Sequence, residues 1–154
     1  MPAASDPAGP ATVRLPHTWR PFGVRLAGVV FGGALLVVCA FAWFSFDEAT
    51  RAKFTTFQRG TLIFLGLLGF AVFYALVRSR VVATAERLVV INGFRRREYE
   101  WPEIIAVHLP PGAPWAVLDL SDGTSAAAMG IQGSDGARAA TAVRQLRALI
   151  DDQL

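Results

Sequence analysis

The sequence predicts a chain in two parts: a hairpin of two membrane-spanning helices, then a mainly β domain that ends in one helix. Hydrophobic residues make up 53% of the 154 residues and charged residues 18%, against about 45–50% and 25% in soluble proteins. Ten of the eleven phenylalanines precede Arg78, and nine of the twelve acidic residues follow it. From Val81 onward, long apolar runs give way to short ones separated by turn residues. The two halves are therefore suited to different solvents.

The first 25 residues are predicted to be a disordered arm. Residues 1–19 show no apolar period and contain four prolines, Pro2, Pro7, Pro10 and Pro16. Such a segment cannot bury enough apolar surface to offset the entropy of ordering.

Residues 26–77 are predicted to form the membrane hairpin. Leu26 to Phe46 is a run of 21 residues without a charge, and Gly60 to Val77 is a run of 18. As helices they would span roughly 31 and 27 Å, close to the thickness of about 30 Å of a hydrocarbon core. The connector, residues 47–59, is too short to be a domain, so both ends of the hairpin lie on one side of the membrane.

Basic residues near the apolar runs predict the orientation of the hairpin. The terminal sides carry Arg14, Arg20, Arg25, Arg78, Arg80 and Arg87, and the connector carries Arg51, Lys53 and Arg59. The positive-inside rule then places both termini in the cytoplasm, as a multi-pass protein of the bacterial plasma membrane. A cleavable signal peptide is the alternative, since Ala40-Phe41-Ala42 has the form of a cleavage site.

Small residues predict how the two helices pack. Gly28 and Gly32 have the GxxxG spacing that lets two helix backbones approach closely. Ala71 and Ala75 offer a matching stripe on the second helix, and we favour this pairing over homodimerisation because the partner helix is already tethered.

The soluble part, residues 78–154, is predicted to contain about six antiparallel strands and one C-terminal helix. The predicted strands are residues 81–85, 88–91, 94–101, 104–109, 115–120 and 124–131. Ser134 is a plausible N-cap, and Asp135 lies where a helix dipole favours negative charge. Ala139, Val143, Leu146 and Ile150 follow at helical spacing. This order predicts a barrel or sandwich closed by a helix.

Asn92-Gly93 is the strongest hairpin signal in the chain. A two-residue turn there pairs Ile91 with Phe94 and Leu88 with Arg97, and it places Tyr99 and Trp101 on the Leu88 face. The opposite face then mixes apolar and charged residues. We therefore predict a β-bulge between Phe94 and Glu98 that resets the alternation.

Four short motifs follow one another along residues 80–150. They are the segment 82–98, then Trp101-Pro-Glu-Ile, then residues 118–124, then Ser134-Asp-Gly-Ala-Arg. In this order they resemble the bacterial PH-domain family typified by the actinobacterial low-molecular-weight protein antigen 6, including its two-helix anchor. The resemblance implies a membrane-attached pleckstrin-homology-like (PH-like) domain. It implies no catalytic residues and no established ligand.

Five arginines are candidate contacts for lipid phosphate: Arg78, Arg80, Arg87, Arg95 and Arg97. The last three have a spacing similar to the basic pattern around the first hairpin of phosphoinositide-binding PH domains, and guanidinium forks suit phosphate. The alternative is a solvated strand face on which arginines pair with Glu98 and Glu100.

The sequence gives little support for catalysis, metal binding or nucleic-acid binding. His108, Ser121 and Asp122 do not provide the separate nucleophile, base and oxyanion donors of a hydrolase, and Ser121-Asp122 is better explained as a turn. We expect no catalytic residues, metal site or cofactor, since one cysteine and two histidines lack ligand spacing. From Arg78 onward nine basic residues balance nine acidic ones, which argues against nucleic acid. The sequence favours a membrane-anchored protein-interaction or assembly module with an unknown protein partner; the alternative is a sensor of anionic lipid headgroups.

Overall fold

A computed structural model describes residues 13–153 of the chain. Two long helices, α1 (Gly23–Ser45) and α3 (Thr56–Arg78), flank the short helix α2 (Glu48–Lys53). Both long helices are long and apolar enough to cross a membrane, and neither is buried in the protein. The predicted spans, 26–46 and 60–77, fall on these helices, which begin a few residues earlier. The Thr55 side chain accepts a hydrogen bond from the Gln58 backbone N–H, and the Gln58 side chain accepts one from the Thr55 backbone N–H. Helix α3 therefore begins at a capping box.

Aromatic residues pack together at the turn of the helical hairpin, between the end of α1 and the start of α3. The Trp43 ring meets Phe54 edge-on at 5.7 Å, and Phe46 stacks on Phe54 at 6.0 Å. The Arg59 guanidinium lies 5.5 Å from the Trp43 ring centre. This cluster holds the turn of the hairpin together.

In the part of the chain that the structure describes, seven antiparallel strands form two sheets. The first sheet has the order β1-β2-β3-β4 and the second has the order β5-β6-β7. The strands are β1 (His17–Trp19), β2 (Arg80–Ala83), β3 (Arg87–Asn92), β4 (Arg95–Glu100), β5 (Ile104–His108), β6 (Trp115–Leu120) and β7 (Ser125–Gln132). Helix α4 (Ala137–Gln153) follows and buries one face, including Leu146 and Ile150, against the sheets. The predicted PH-like sandwich after a helical hairpin is confirmed.

Strand β1 corrects the prediction for the N-terminal arm. Residues 1–12 lie outside the described residues, but His17–Trp19 pairs with β2, with Trp19 opposite Val81. Trp19 is buried in the core and donates its indole N–H to the Gln145 side chain at 3.0 Å. The helical hairpin is therefore inserted between the first two described strands of the domain. The predicted six strands omitted this one because it is short and lies among prolines.

The turn between β3 and β4 lies one residue later in the chain than predicted. Each residue of β3 therefore pairs with a residue two positions further along β4 than expected. Asn92 pairs with Arg95 and Leu88 with Tyr99, so the turn residues are Gly93 and Phe94. Gly93 has a φ of +59°, and Phe94 has a negative φ like every described residue other than glycine. A positive φ at the first turn residue alone is the requirement of a type II′ turn. The pairing from Arg95 to Glu100 is unbroken, so the predicted bulge is also wrong. Tyr99 does lie on the Leu88 face.

Two contacts of β7 join the sheets. The Asn92 side chain donates to the Ala127 carbonyl at 2.6 Å and accepts the Met129 backbone N–H at 3.0 Å. Gly130 lies directly against the backbone of β2, because a Cβ added there would be 2.6 Å from atoms of Arg80 and Val81. Where the sheets meet, the side-chain amide of Asn92 thus makes the hydrogen bonds to β7 that the backbone of a neighbouring strand would otherwise make.

Helix α4 begins later than predicted. A 3₁₀ turn covers Gly133–Asp135, and Gly136, with a φ of +55°, separates it from the helix. Ser134 is therefore not the N-cap of α4, and Asp135 does not lie in its first turn.

Candidate functional site

The N-terminus of α1 is capped by a residue from the far end of the chain. The Asp135 carboxylate accepts the backbone N–H groups of Phe22 at 2.9 Å and Gly23 at 2.7 Å. A negative charge at a helix N-terminus satisfies free donors and complements the helix dipole. Beside it, Arg25 donates to the Val77 carbonyl of α3 at 2.9 Å. The start of α1, the end of α3 and the domain are therefore linked at one place.

We expect Asp135→Ala to detach α1 from the domain. The change removes two charge-assisted hydrogen bonds and leaves their backbone donors without a partner, so it should cost about 1–3 kcal/mol. Tryptic cleavage after Arg25, in the first turn of α1, should accelerate accordingly in the detergent-solubilised protein. Asp151→Ala, an exposed change on α4, is the control. Equal cleavage rates in both variants would contradict the role of the cap.

The tip of the β3–β4 hairpin, Gly93-Phe94, docks on the end of α3. The Gly93 N–H donates to the Ser79 hydroxyl at 2.9 Å, and that hydroxyl donates to the Ala75 carbonyl at 3.0 Å. A Cβ on Gly93 would lie 3.3 Å from the Ala75 side chain, so the backbone approaches the helix closely. The Phe94 ring lies 6.3 Å from that of Tyr74.

Beside this contact, a groove of about 520 Å³ lies between α3 and the hairpin tip. We call it the tip groove. On the α3 side its walls include Leu68, Ala71, Val72, Ala75 and Leu76, and on the other side Phe94, Arg95 and Met129. Phe94 is 66% exposed. Outside the long helices and α2, Phe22 and Ile105 are the other large apolar residues exposed in the described chain, and Phe22 immediately precedes α1.

The small residues predicted to pack the helices divide between two places. A Cβ on Gly28 would overlap the Phe73 ring, so α1 does approach α3 there, but a Cβ on Gly32 would meet nothing within 4 Å. Ala71 and Ala75 line the tip groove and do not face the glycine stripe. The predicted pairing of the two stripes is wrong, because the bulky Phe73 ring fills the place assigned to the small side chains.

The five candidate arginines do not form one site. On β4, Arg95 and Arg97 share one face, whereas Arg87 lies opposite Glu100 on the other face. Glu100 follows Arg95 by five positions, so Arg87 lies roughly 17 Å along the strand from Arg95. Arg78 ends α3 and Arg80 begins β2. With β1 included, the hairpin that carries Arg87, Arg95 and Arg97 joins the third and fourth described strands and is not the first hairpin of the domain.

Glu98 forms ion pairs with two arginines of this hairpin. It accepts from Arg87 at 2.6 Å and from Arg96 at 2.5 Å. The hydrogen bond from Arg87 holds the pKa of the Glu98 carboxyl below its usual range, and the charge of Arg96 adds to this effect. Arg95 and Arg97 take part in no ion pair with another described residue. Among the arginines of this hairpin, Arg95 and Arg97 are therefore the two whose charge is not paired with a described residue.

A second cavity, of about 360 Å³, lies between the start of α1 and α4. Arg20, Arg25 and Arg138 line it together with Asp135. Two of these arginines are engaged, since Arg25 bonds Val77 and the Arg138 guanidinium lies 4.1 Å from the Phe22 ring centre. This arrangement serves to hold α1 on the domain.

The residues considered for catalysis have other contacts. His108 lies 3.2 Å from the Asp119 carboxylate on the neighbouring strand. Asp122 accepts from the backbone and hydroxyl of Thr124, as in a turn, and the hydroxyl bond is the main cause that lowers the pKa of its carboxyl. Within residues 13–153 no three His, Cys, Asp or Glu side chains come close enough to hold a metal ion.

Three features of this end of the molecule escaped the sequence analysis: strand β1, the Asp135 cap and the apolar tip at Phe94. One signal was available. A phenylalanine beside glycine, in a turn where polar residues are usual, marks a tip that contacts something apolar.

The comparisons with known proteins agree with this architecture. The family whose profile matches residues 78–149 is described as a bacterial PH domain. An uncharacterized protein of Mycobacterium tuberculosis is 33% identical over 97 residues, and so is one of Mycobacterium bovis. The alignment covers 61% of this chain, and the chain spans 63% of the length of those relatives. No solved structure matches.

Proposed function

We propose that the protein is a non-catalytic interaction module, anchored by two helices in the bacterial plasma membrane and exposed to the cytoplasm. The match of residues 78–149 to the bacterial PH-domain family supports this proposal. The observation that carries the proposal is the insertion of the hairpin between β1 and β2. A domain joined to its anchor by one linker could rotate freely. This one is joined by both ends of the hairpin.

Strand pairing supports a shared location for both ends. Helix α1 begins four residues after Trp19 and α3 ends two residues before Arg80, while Trp19 and Arg80 belong to neighbouring strands. If both helices cross the membrane, their domain ends emerge on the same side. The excess of arginine beside those ends then favours the cytoplasmic side.

The open edge of β4 supports protein interaction. Strand β4 ends the first sheet, so one of its sides has no strand partner among the described residues. An exposed edge can pair with a segment of another protein, and its charged residues keep it from pairing indiscriminately. The Arg87–Glu98–Arg96 cluster weakens the alternative of a headgroup sensor on this hairpin, because two of its arginines already bind a carboxylate of the chain.

Photo-crosslinking in native membranes tests the proposal. A benzophenone amino acid is placed at Arg97 on the β4 edge of the full chain, with Arg144 on the exposed face of α4 as the control position. We expect a discrete protein adduct from position 97 that persists in high salt and is absent from position 144. Adducts of lipid mass alone at position 97 would favour the headgroup sensor instead.

A further inference from the structure

We propose that the tip groove binds one acyl chain of an anionic phospholipid and that Arg95 binds the phosphate of the same lipid. The lipid belongs to the leaflet in which α3 ends. This inference rests on the proposed function, because it requires α3 to cross the membrane.

The depth of the groove matches one leaflet. Its lining begins beside Ser79 and reaches Leu68, which lies ten residues before Arg78 on α3. At the rise of an α-helix this is about 15 Å, half of a hydrocarbon core of about 30 Å. One wall of the groove is thus a membrane-spanning surface, and acyl chains are the medium in front of it.

Phe94 makes this surface a groove instead of an open helix face. Its ring lies beside Tyr74, four residues before Arg78, or about 6 Å inside the end of the helix. Apolar side chains of interfacial segments enter the boundary of headgroups and acyl chains to about 5–10 Å. The exposed ring, unfavourable in water, therefore lies at a depth where lipid can cover it. An acyl chain is held between Phe94 and Val72.

Charge favours an anionic lipid. Arg95 is the one charged side chain among the described residues that line the groove. It follows Phe94 at the mouth and forms no ion pair with a described residue, in contrast to Arg96. A guanidinium can donate two parallel hydrogen bonds to one phosphate. Phosphatidylglycerol meets these requirements better than phosphatidylcholine, whose headgroup has no net charge.

Lipid retention by the full chain tests the inference. The protein is first shown to resist alkaline carbonate extraction, which tests membrane integration by itself. It is then solubilised in mild detergent, equilibrated with equal amounts of phosphatidylglycerol and phosphatidylcholine of identical acyl chains, and examined by native mass spectrometry. We expect one retained lipid per chain, with phosphatidylglycerol preferred.

Variants at four positions separate the parts of the site. Arg95→Gln should lower retention of phosphatidylglycerol about fivefold, the ratio expected for one arginine at an anionic surface. Ala71→Phe, or Ala71→Leu if the larger ring prevents accumulation, should lower retention of both lipids by filling the groove. Arg96→Gln, whose residue is paired with Glu98, and Ala40→Phe on the exposed face of α1 should behave as the native chain.

Three results would overturn the inference while leaving the anchor intact. They are equal retention of the two lipids, equal effects of Arg95→Gln and Arg96→Gln, and a loss with Arg95→Gln but none with either Ala71 variant, which would indicate a headgroup contact alone. Release of the chain by carbonate would instead refute the proposed anchoring.

Discussion

Replacing Trp19 with alanine is expected to lower the free energy of unfolding of the domain by about 3–5 kcal/mol, the usual cost of removing a buried aromatic ring. Trp19 is 7% exposed, packs in the same core as α4 and bonds Gln145. The loss would therefore leave a cavity between β1 and α4 together with an unpaired side-chain amide.

Thermal unfolding of the detergent-solubilised full chain, followed by near-ultraviolet circular dichroism, measures this effect. The midpoint should fall by more than about 10 °C, since each kcal/mol shifts a domain of this size by about 4–8 °C. Trp43→Ala, in the aromatic cluster at the far end of the hairpin, is the matched control. A midpoint lowered no further by Trp19→Ala than by Trp43→Ala would show that β1 is not part of the folded domain.

Gly130→Ala is expected to destabilise the domain by about 1–3 kcal/mol. The added methyl carbon would lie 2.6 Å from backbone atoms of Arg80 and Val81, and a backbone held between two strands cannot move aside cheaply. Elsewhere the same substitution gains about 0.4–1 kcal/mol by restricting the unfolded chain. The sign of the change therefore reports whether β7 closes on β2.

Chemical unfolding of the purified full chain checks the sign. Gly66→Ala is the control, because a Cβ at Gly66 meets nothing within 4 Å and α3 favours alanine. It should leave the domain transition unchanged. Equal or increased stability of the Gly130 variant would mean that the two sheets do not meet at this point.

Elements with strong local signals were predictable from the sequence. The long apolar runs gave both membrane-length helices, and the alternation of Trp115–Leu120 gave β6 with its observed bounds. The C-terminal helix followed from helical spacing, and its apolar residues Ala139, Val143, Leu146 and Ile150 are buried as predicted.

Features decided by distant contacts were not predictable in the same way. The hairpin of β3 and β4 could turn at Asn92-Gly93 or at Gly93-Phe94, and Asn92 is held in the strand by its bonds to β7. The local pattern contains no information about β7. Strand β1 has three residues and becomes a strand by pairing with β2 across the inserted hairpin.

The candidate site shows the same division. The sequence analysis identified Arg95 as a phosphate contact and Ala71 as a helix-packing residue, and it did not predict that they line one groove. They come together because the hairpin tip docks on α3, where Gly93 bonds Ser79. Asp135 was expected to lie at the N-terminus of the C-terminal helix, where the helix dipole favours a negative charge. It instead caps α1, more than a hundred residues away in the chain.

The central claim, one cytoplasmic domain assembled from both sides of an inserted membrane hairpin, is tested most directly by cysteine accessibility in intact cells. Single cysteines are placed by Arg14→Cys, Ala52→Cys and Ser121→Cys in a Cys39→Ala background; all three positions are exposed. A membrane-impermeant maleimide should label the Ala52 position at once, and the Arg14 and Ser121 positions only after the membrane is permeabilised. Labelling of the Ser121 position as strong as that of the Ala52 position, or opposite behaviour of the Arg14 and Ser121 positions, would contradict the claim.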